Sequence, residues 1–257
     1  MDFFDCNCCF GRPARPDKSP LICPEVDDLL GQLVRAGIGR AIAWHVAQFD
    51  VSPQYGNAIL ADAIRNRPNL LGAWTVLPDQ TGEMPLDKLF DDMKANRIVA
   101  LRVFPPTGRY LLNALTMGPL LDEMTARHIP LIYSIKRIQP SMGETQVWRT
   151  LYDLLADFPD LVVIVADHSS WGSDRLFRPL IENYPGVHIE TSLYFIDGGI
   201  EDFVEHYGPE SLLFGSGLPE RYPGGGMLAL RHAEFSESDK LAVAAGNLDR
   251  LVKEVRL

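Results

Sequence analysis

Eight short runs of β-branched and aliphatic residues recur along this chain, each followed by a longer amphipathic stretch, and this alternation narrows the fold more than any other feature. Parallel strands need a crossover of a dozen or more residues, so strands that alternate with helical stretches imply βαβ construction. The runs cover residues 3–7, 40–44, 70–76, 98–103, 129–134, 161–166, 187–191 and 211–214. Helical patterns fill the intervals at 25–36, 53–66, 86–95, 119–127, 147–155, 174–183 and 200–207. In the first of these, Val26, Leu29, Leu30, Leu33 and Val34 fall on one face, and Asp27 and Asp28 suit the positive end of the helix dipole. Pro68, Pro130, Pro159 and Pro185 stand where the chain turns back toward the sheet. A terminal helix over 236–255, preceded by a less regular segment at 227–232, completes the pattern.

Eight strands with their helices in 257 residues predict one (β/α)₈ barrel spanning 1–257, because an open doubly wound sheet normally uses fewer strands. No Gly-x-Gly-x-x-Gly follows the first strand, and Gly224-Gly225-Gly226 lacks the Lys of a phosphate loop, which argues against nucleotide binding. With 34 acidic against 24 basic residues the net charge is -10 and no basic run is present, so nucleic acid is excluded as an expected partner. The opening Met1-Asp2-Phe3-Phe4-Asp5 puts acids where a secretory signal carries bases, and no apolar run approaches the roughly 20 residues of a membrane span. These features predict a cytoplasmic protein without membrane contact.

Cys6, Cys8 and Cys9 crowd one short segment while Cys23 stands alone, a spacing that suits reduced thiols better than a disulfide framework. A Cys8–Cys9 bridge would be vicinal and strained. Strict period-two alternation places Asp5, Asn7 and Cys9 on one side of the first strand and Cys6 and Cys8 on the other.

In such barrels the chemistry sits at the C-terminal ends of the strands. The residues there are Asn7 and Cys9, His45, Arg102, Ser134 and Lys136, Asp167 and His168, Glu190 and Ser192, and Gly217 with Arg221 and Tyr222. His168, beside Asp167, is placed to act as an acid or base, and Glu190 is a second candidate. Arg102, Lys136 and Arg221 together make an electropositive mouth suited to a carboxylate-bearing substrate. His128, His188, His206 and His232 read as packing or surface residues.

Phe4-Asp5-Cys6-Asn7-Cys8-Cys9-Phe10-Gly11 resembles the hydrophobic-Asp-x-His-x-His-x-Gly opening of the amidohydrolase-related family of metal-dependent hydrolases, with Asn7 and Cys9 in the places of its two histidines. Phe214-Gly215-Ser216-Gly217-Leu218-Pro219 is similar to the family's Phe-Gly-Ser-Asp-x-Pro, with Gly217 where the metal-binding Asp stands. The segment 162–168 resembles the family's sixth strand, and 129–134 its fifth, with Ser134 in a ligand position. Tyr55-Gly56-Asn57, 100–103 and 246–251 match the same register, so the resemblance spans nearly the whole chain.

The resemblance implies a (β/α)₈ hydrolase whose metal site is altered. Asn7, Cys9 and His168 form the remaining candidate ligand set for one zinc ion, with His45 in reserve, and the four substituted ligand positions favour a site without metal. The expected function is an amidohydrolase-like hydrolase, or a related decarboxylase or lactone hydrolase, acting on a small polar anion. His168 and Glu190 are its expected catalytic groups, and Asn7, His45, Arg102, Ser134, Lys136 and Arg221 its substrate contacts. Two rival readings are a non-catalytic barrel that binds a ligand or partner, and thiol sensing by Cys6, Cys8 and Cys9, which requires a low-pKa exposed thiol. Homodimers are common among such enzymes, but nothing in the sequence identifies an interface.

Overall fold

A computed structural model of the chain describes residues 1–14, 21–169, 172–194 and 196–257. Eight strands follow one another in a single parallel sheet: β1 (Phe4–Phe10), β2 (Arg40–His45), β3 (Leu70–Thr75), β4 (Ile98–Arg102), β5 (Leu131–Ser134), β6 (Val163–Ala166), β7 (Val187–Glu190) and β8 (Leu212–Leu213). Backbone bonds from Cys6 N–H to the Phe214 carbonyl (3.0 Å) and from Gly217 N–H to the Asn7 carbonyl (3.1 Å) join the last strand region to the first and close the expected (β/α)₈ barrel.

The helices are α1 (Val26–Ala36), α2 (Ala47–Asp50), α3 (Pro53–Ile64), α4 (Leu86–Ala95), α5 (Pro105–Gly108), α6 (Ala114–Arg127), α7 (Ile135–Met142), α8 (Glu144–Asp157), α9 (Asp174–Asn183), α10 (Gly199–Tyr207), α11 (Gly224–His232), α12 (Glu237–Leu241) and α13 (Asn247–Glu254). Most match the amphipathic stretches. In α1, Val26, Leu29 and Leu33 are buried as the pattern requires, whereas Val34 stands exposed. Helix α6 begins five residues before the expected Pro119, because the Asn113 side chain caps it by accepting the Thr116 N–H at 3.0 Å. The terminal helix carries a π-helical segment at Ala242–Gly246 between α12 and α13. Helix α7 follows β5 directly, in a stretch to which the sequence patterns assigned no element. No helix among the described residues is long and apolar enough to cross a membrane.

Alternation sorts each strand between two apolar masses. Leu101, Leu131, Tyr133, Val163, Val165, Val187 and Ile189 pack outward against the helices. Phe4, Cys6, Ile42, Ala73, Ala100, Ile132, Ile164 and Leu213 fill the barrel interior, where Leu248 and Leu251 of α13 pack against them as a plug. A fully buried aliphatic or aromatic side chain contributes roughly 1.5–3 kcal/mol, so this layer is an anchor for the fold.

The first strand departs from strict alternation. Asp5 pairs with Ala41 and Cys8 with Ala43, so two residues of β1, Cys6 and Asn7, stand opposite the single Ile42. This bulge resets the phase. Cys6 therefore faces inward with Phe4, not outward with Cys8, while Cys9 still reaches the mouth.

Candidate active site

The bulge places Asn7 at the centre of the mouth. The buried Asp5 carboxylate accepts the N–H groups of Asn7 and Ser216, each at 2.9 Å, and also the Ser216 hydroxyl, which locks β1 to the β8 loop. From this position Asn7 donates through Nδ2 to Asp167 Oδ1 at 3.1 Å and accepts through Oδ1 from Arg102 Nη2 at 2.5 Å. Ser134, at the end of β5, donates to the other Asp167 oxygen at 2.6 Å. Residues from β1, β4, β5 and the end of β6 thus meet in one network.

Asp167 sits at φ 55°, a left-handed conformation that Asp tolerates better than most residues. This twist ends β6 and separates the fates of Asp167 and His168. Asp167 stays in the network and donates its backbone N–H to Glu190 Oε2 at 3.2 Å. Glu190 is buried at the end of β7 and accepts both the Ser192 N–H (2.5 Å) and the Ser192 hydroxyl (2.9 Å). Its carboxylate lies so close to Gly215 that any Cβ there would collide with it, which explains the glycine. Burial, together with the charge of Asp167, pushes the Glu190 carboxyl up to about 7.

His168 does not enter the mouth, contrary to expectation. Its Nε2 faces the Glu190 carbonyl at 3.1 Å, and its Nδ1 faces the Ser169 carbonyl and the Ser173 hydroxyl, both at 3.1 Å. The ring packs edge-on against Phe177 of α9 and against Tyr194, within the layer between barrel and helices. Burial lowers its pKa, so the neutral imidazole is favoured.

His45 also turns outward, because β2 directs Trp44 into the mouth and its neighbour the other way. Its ring meets Phe10 edge-on at 4.9 Å, and its Nδ1 accepts the Ala47 N–H at 3.1 Å. It lines an outer cleft with Glu25 and Tyr55.

Of the three expected cations, Arg102 is the central one. It is 1% exposed, its guanidinium lies 4.9 Å from the centre of the Trp44 ring, and its Nε and Nη1 have no hydrogen-bond partner among the described residues. Lys136 stands half-exposed on the rim and is paired with Glu220 at 2.7 Å. Arg221 is half-buried and lays its Cγ and Cδ beside Gly217. Sequence reasoning passed over Arg137, which pairs with Glu220 and stacks near Trp44 (5.2 Å) and Phe49 (5.5 Å). A cavity of about 250 Å³ beside Arg137 is lined by Cys9, Arg12, Cys23, Val46 and Glu220. Asp167 was visible as a strand-end residue, yet the strained turn that keeps it inside while expelling His168 left no mark in a single sequence.

All four cysteines are free and buried. Burial raises the Cys9 thiol to about 12 and that of Cys23 to about 11, and it holds Cys6 and Cys8 well above their ordinary range. Thiol sensing needs an exposed, acidic thiol, so that alternative loses its basis.

The expected zinc ligands do not fit an ion. Asn7 Oδ1 is committed to Arg102, and His168 is turned to the Glu190 carbonyl away from the mouth, which leaves Cys9 alone of the three. Among the described residues no three His, Cys, Asp or Glu side chains gather as a metal site would require.

The fold recurs in solved structures. A 2,6-dihydroxybenzoate decarboxylase from Rhizobium is 16% identical, with 98% of this chain and 99% of that one covered at a TM-score of 0.76. A dihydroxybenzoic acid decarboxylase from a Polaromonas species, with bound manganese and the inhibitor 2-nitroresorcinol, is 16% identical over 100% of this chain and 98% of that one, at a TM-score of 0.74. The 4-oxalomesaconate hydratase of Rhodopseudomonas palustris is 16% identical, covers 89% and 81%, and has a TM-score of 0.66. No curated protein matches the sequence. The sequence profile described as Amidohydrolase matches residues 25–247, and the chain therefore belongs to the amidohydrolase family.

Proposed function

We propose that this chain is an enzyme of its family that converts a small anionic molecule at the barrel mouth, cleaving a C–N, ester or lactone bond or acting as a related lyase. The observation that carries this reading is a buried Arg102 with two nitrogens unpartnered among the described residues, linked through Asn7 to the Asp167 carboxylate. A guanidinium recognises planar oxyanions, and a buried donor without an acceptor is costly, so the site is completed by an anionic ligand. The decarboxylases and the hydratase of the same fold are named for conversions of small acids, which supports the same substrate class.

The two carboxyl groups divide the proton work. Asp167, half-buried and held by Asn7 and Ser134, is the group placed to take a proton from substrate or water. Glu190, raised to about 7, is half-protonated near neutral pH and is therefore a second group able to give or take a proton there. Lys136 at the rim, together with Arg221, adds attraction for anions in an otherwise acidic protein. No step of this reading passes through a metal ion. His168 is assigned to packing and His45 to the outer layer.

A screen of esters, lactones, amides and aromatic or aliphatic carboxylic acids tests the proposal, with hydrolysis and CO₂ release both followed. Turnover of at least one anionic compound is expected. A second reading, a ligand-binding barrel without catalysis, draws on the observation that both Glu190 oxygens are already engaged by Ser192 and the Asp167 N–H. Saturable ligand binding with no turnover across the screen would select it.

A further inference from the structure

The Polaromonas decarboxylase of this fold holds manganese. In the present chain the positive charge at the centre of the mouth comes from the protein. Arg102 projects inward from the end of β4 and donates to Asn7, the residue that stands where the resemblance places the first metal-binding histidine. Asp167 supplies the strongest attractive charge acting on this guanidinium. The amide oxygen that an ion would need is therefore already turned toward a cation.

We propose that the Arg102 guanidinium takes the place of the metal as the fixed cation of the mouth, and that it holds the carboxylate of a small ligand without any divalent ion. The inference rests on reading the mouth as a ligand site, and it names both the ligand group and the residue that receives it.

Three features support the assignment. The guanidinium is almost fully buried, so its charge acts through protein with little screening by water. The Trp44 ring lies 4.9 Å from it, while Asn7 holds one nitrogen and leaves Nε and Nη1 without partners among the described residues. A divalent ion at the same place would meet this guanidinium at short range, with the His168 imidazole turned away and no cluster of three His, Cys, Asp or Glu side chains among the described residues to offset the repulsion. Trp44 belongs to an apolar cluster with Cys9, Val46 and Phe104, so the cation has an apolar flank, which suits a carboxylate carried on a compact apolar body.

The test uses the whole chain, purified in chelator, with acetate and benzoate as probes, benzamide as the uncharged control, and zinc added separately. At least one carboxylate is expected to bind saturably and raise Tm without metal, benzamide is expected to leave Tm unchanged, and zinc is expected to wash out on dialysis. Arg102→Met should weaken carboxylate binding on the order of tenfold or more with an unchanged circular dichroism spectrum. Should that variant fail to fold, the wild-type measurements decide alone. Retention of one equivalent of zinc, carboxylate binding that requires zinc, or binding of neither carboxylate would overturn the proposal. Metal-free carboxylate binding without turnover in the screen would instead sink the enzymatic reading and leave this one standing. Turnover that appears only with zinc would do the reverse.

Discussion

The two ends of the barrel interior are built from the same strands and have opposite chemistry. At the bottom, Phe4, Ile42, Ala73, Ala100, Ile132, Ile164 and Leu213 meet Leu248 and Leu251 of α13 in an apolar layer. Within β4 and β5, one step of the inward alternation leads from Ala100 to Arg102 and from Ile132 to Ser134. There the interior becomes a network of Asn7, Arg102, Ser134, Asp167 and Glu190. An apolar layer stabilises through burial whatever its detailed geometry, whereas a polar layer is costly wherever a group lacks its partner, as two Arg102 nitrogens do among the described residues. The difference teaches that stability and chemistry are separated along the strand axis, so substitutions at the two ends should have separable effects.

The largest effect expected at the mouth is on turnover. Asp167→Asn should reduce kcat/KM on a substrate from the screen by about 10²–10⁴-fold while the urea midpoint stays close to wild type. A loss below tenfold would move the proton chemistry elsewhere. Leu251→Ala is the counterpart at the bottom: it should cost roughly 2–5 kcal/mol in urea unfolding, with turnover per folded molecule unchanged. Parallel losses of stability and turnover in both variants would break the comparison.

His168→Asn sharpens the boundary between the mouth and the outer layer. With both ring nitrogens engaged by Glu190, Ser169 and Ser173, the substitution should cost about 1–3 kcal/mol and change turnover only a few-fold. A loss as large as that of Asp167→Asn at full stability would restore the imidazole as the acid or base.

The smallest effect expected is a pH dependence. The folded-state pKa of Glu190 is raised from 4.5 to about 7, so the folded protein binds this proton more tightly than the unfolded chain. The associated stability is fully present below about pH 4.5 and is lost as pH rises through 7. Measured against Glu190→Gln across that window, the wild type should lose on the order of 1–3 kcal/mol of relative stability. A flat difference would show a carboxyl ionised throughout.

Much of the scaffold was legible because it depends on periodic patterns. The strand runs were located within a few residues, since each is a short apolar stretch bounded by helical periodicity. The site was legible only in part. Asn7, Arg102, Ser134 and Glu190 were found because an inward strand end is a position that alternation can count, and they do meet. His45 lies outside the mouth because alternation along β2 turns its neighbour Trp44 inward, and His168 because the left-handed residue before it, Asp167 at φ 55°, redirects the chain. Arg137 was missed because helix α7, which carries it, begins immediately after β5, where the sequence patterns assigned no element.

By itself the sequence determined the (β/α)₈ architecture, the acidic surface and the family, all of which follow from patterns repeated along the chain. Only the tertiary structure decided which strand-end residues face one another. A one-residue bulge in β1 turns Cys6 inward and brings Asn7 to Arg102, and a single left-handed residue keeps Asp167 in the mouth while sending His168 out. Each of these is a local backbone departure stabilised by contacts from residues far away in the chain, so its energy does not reside in the segment where it occurs.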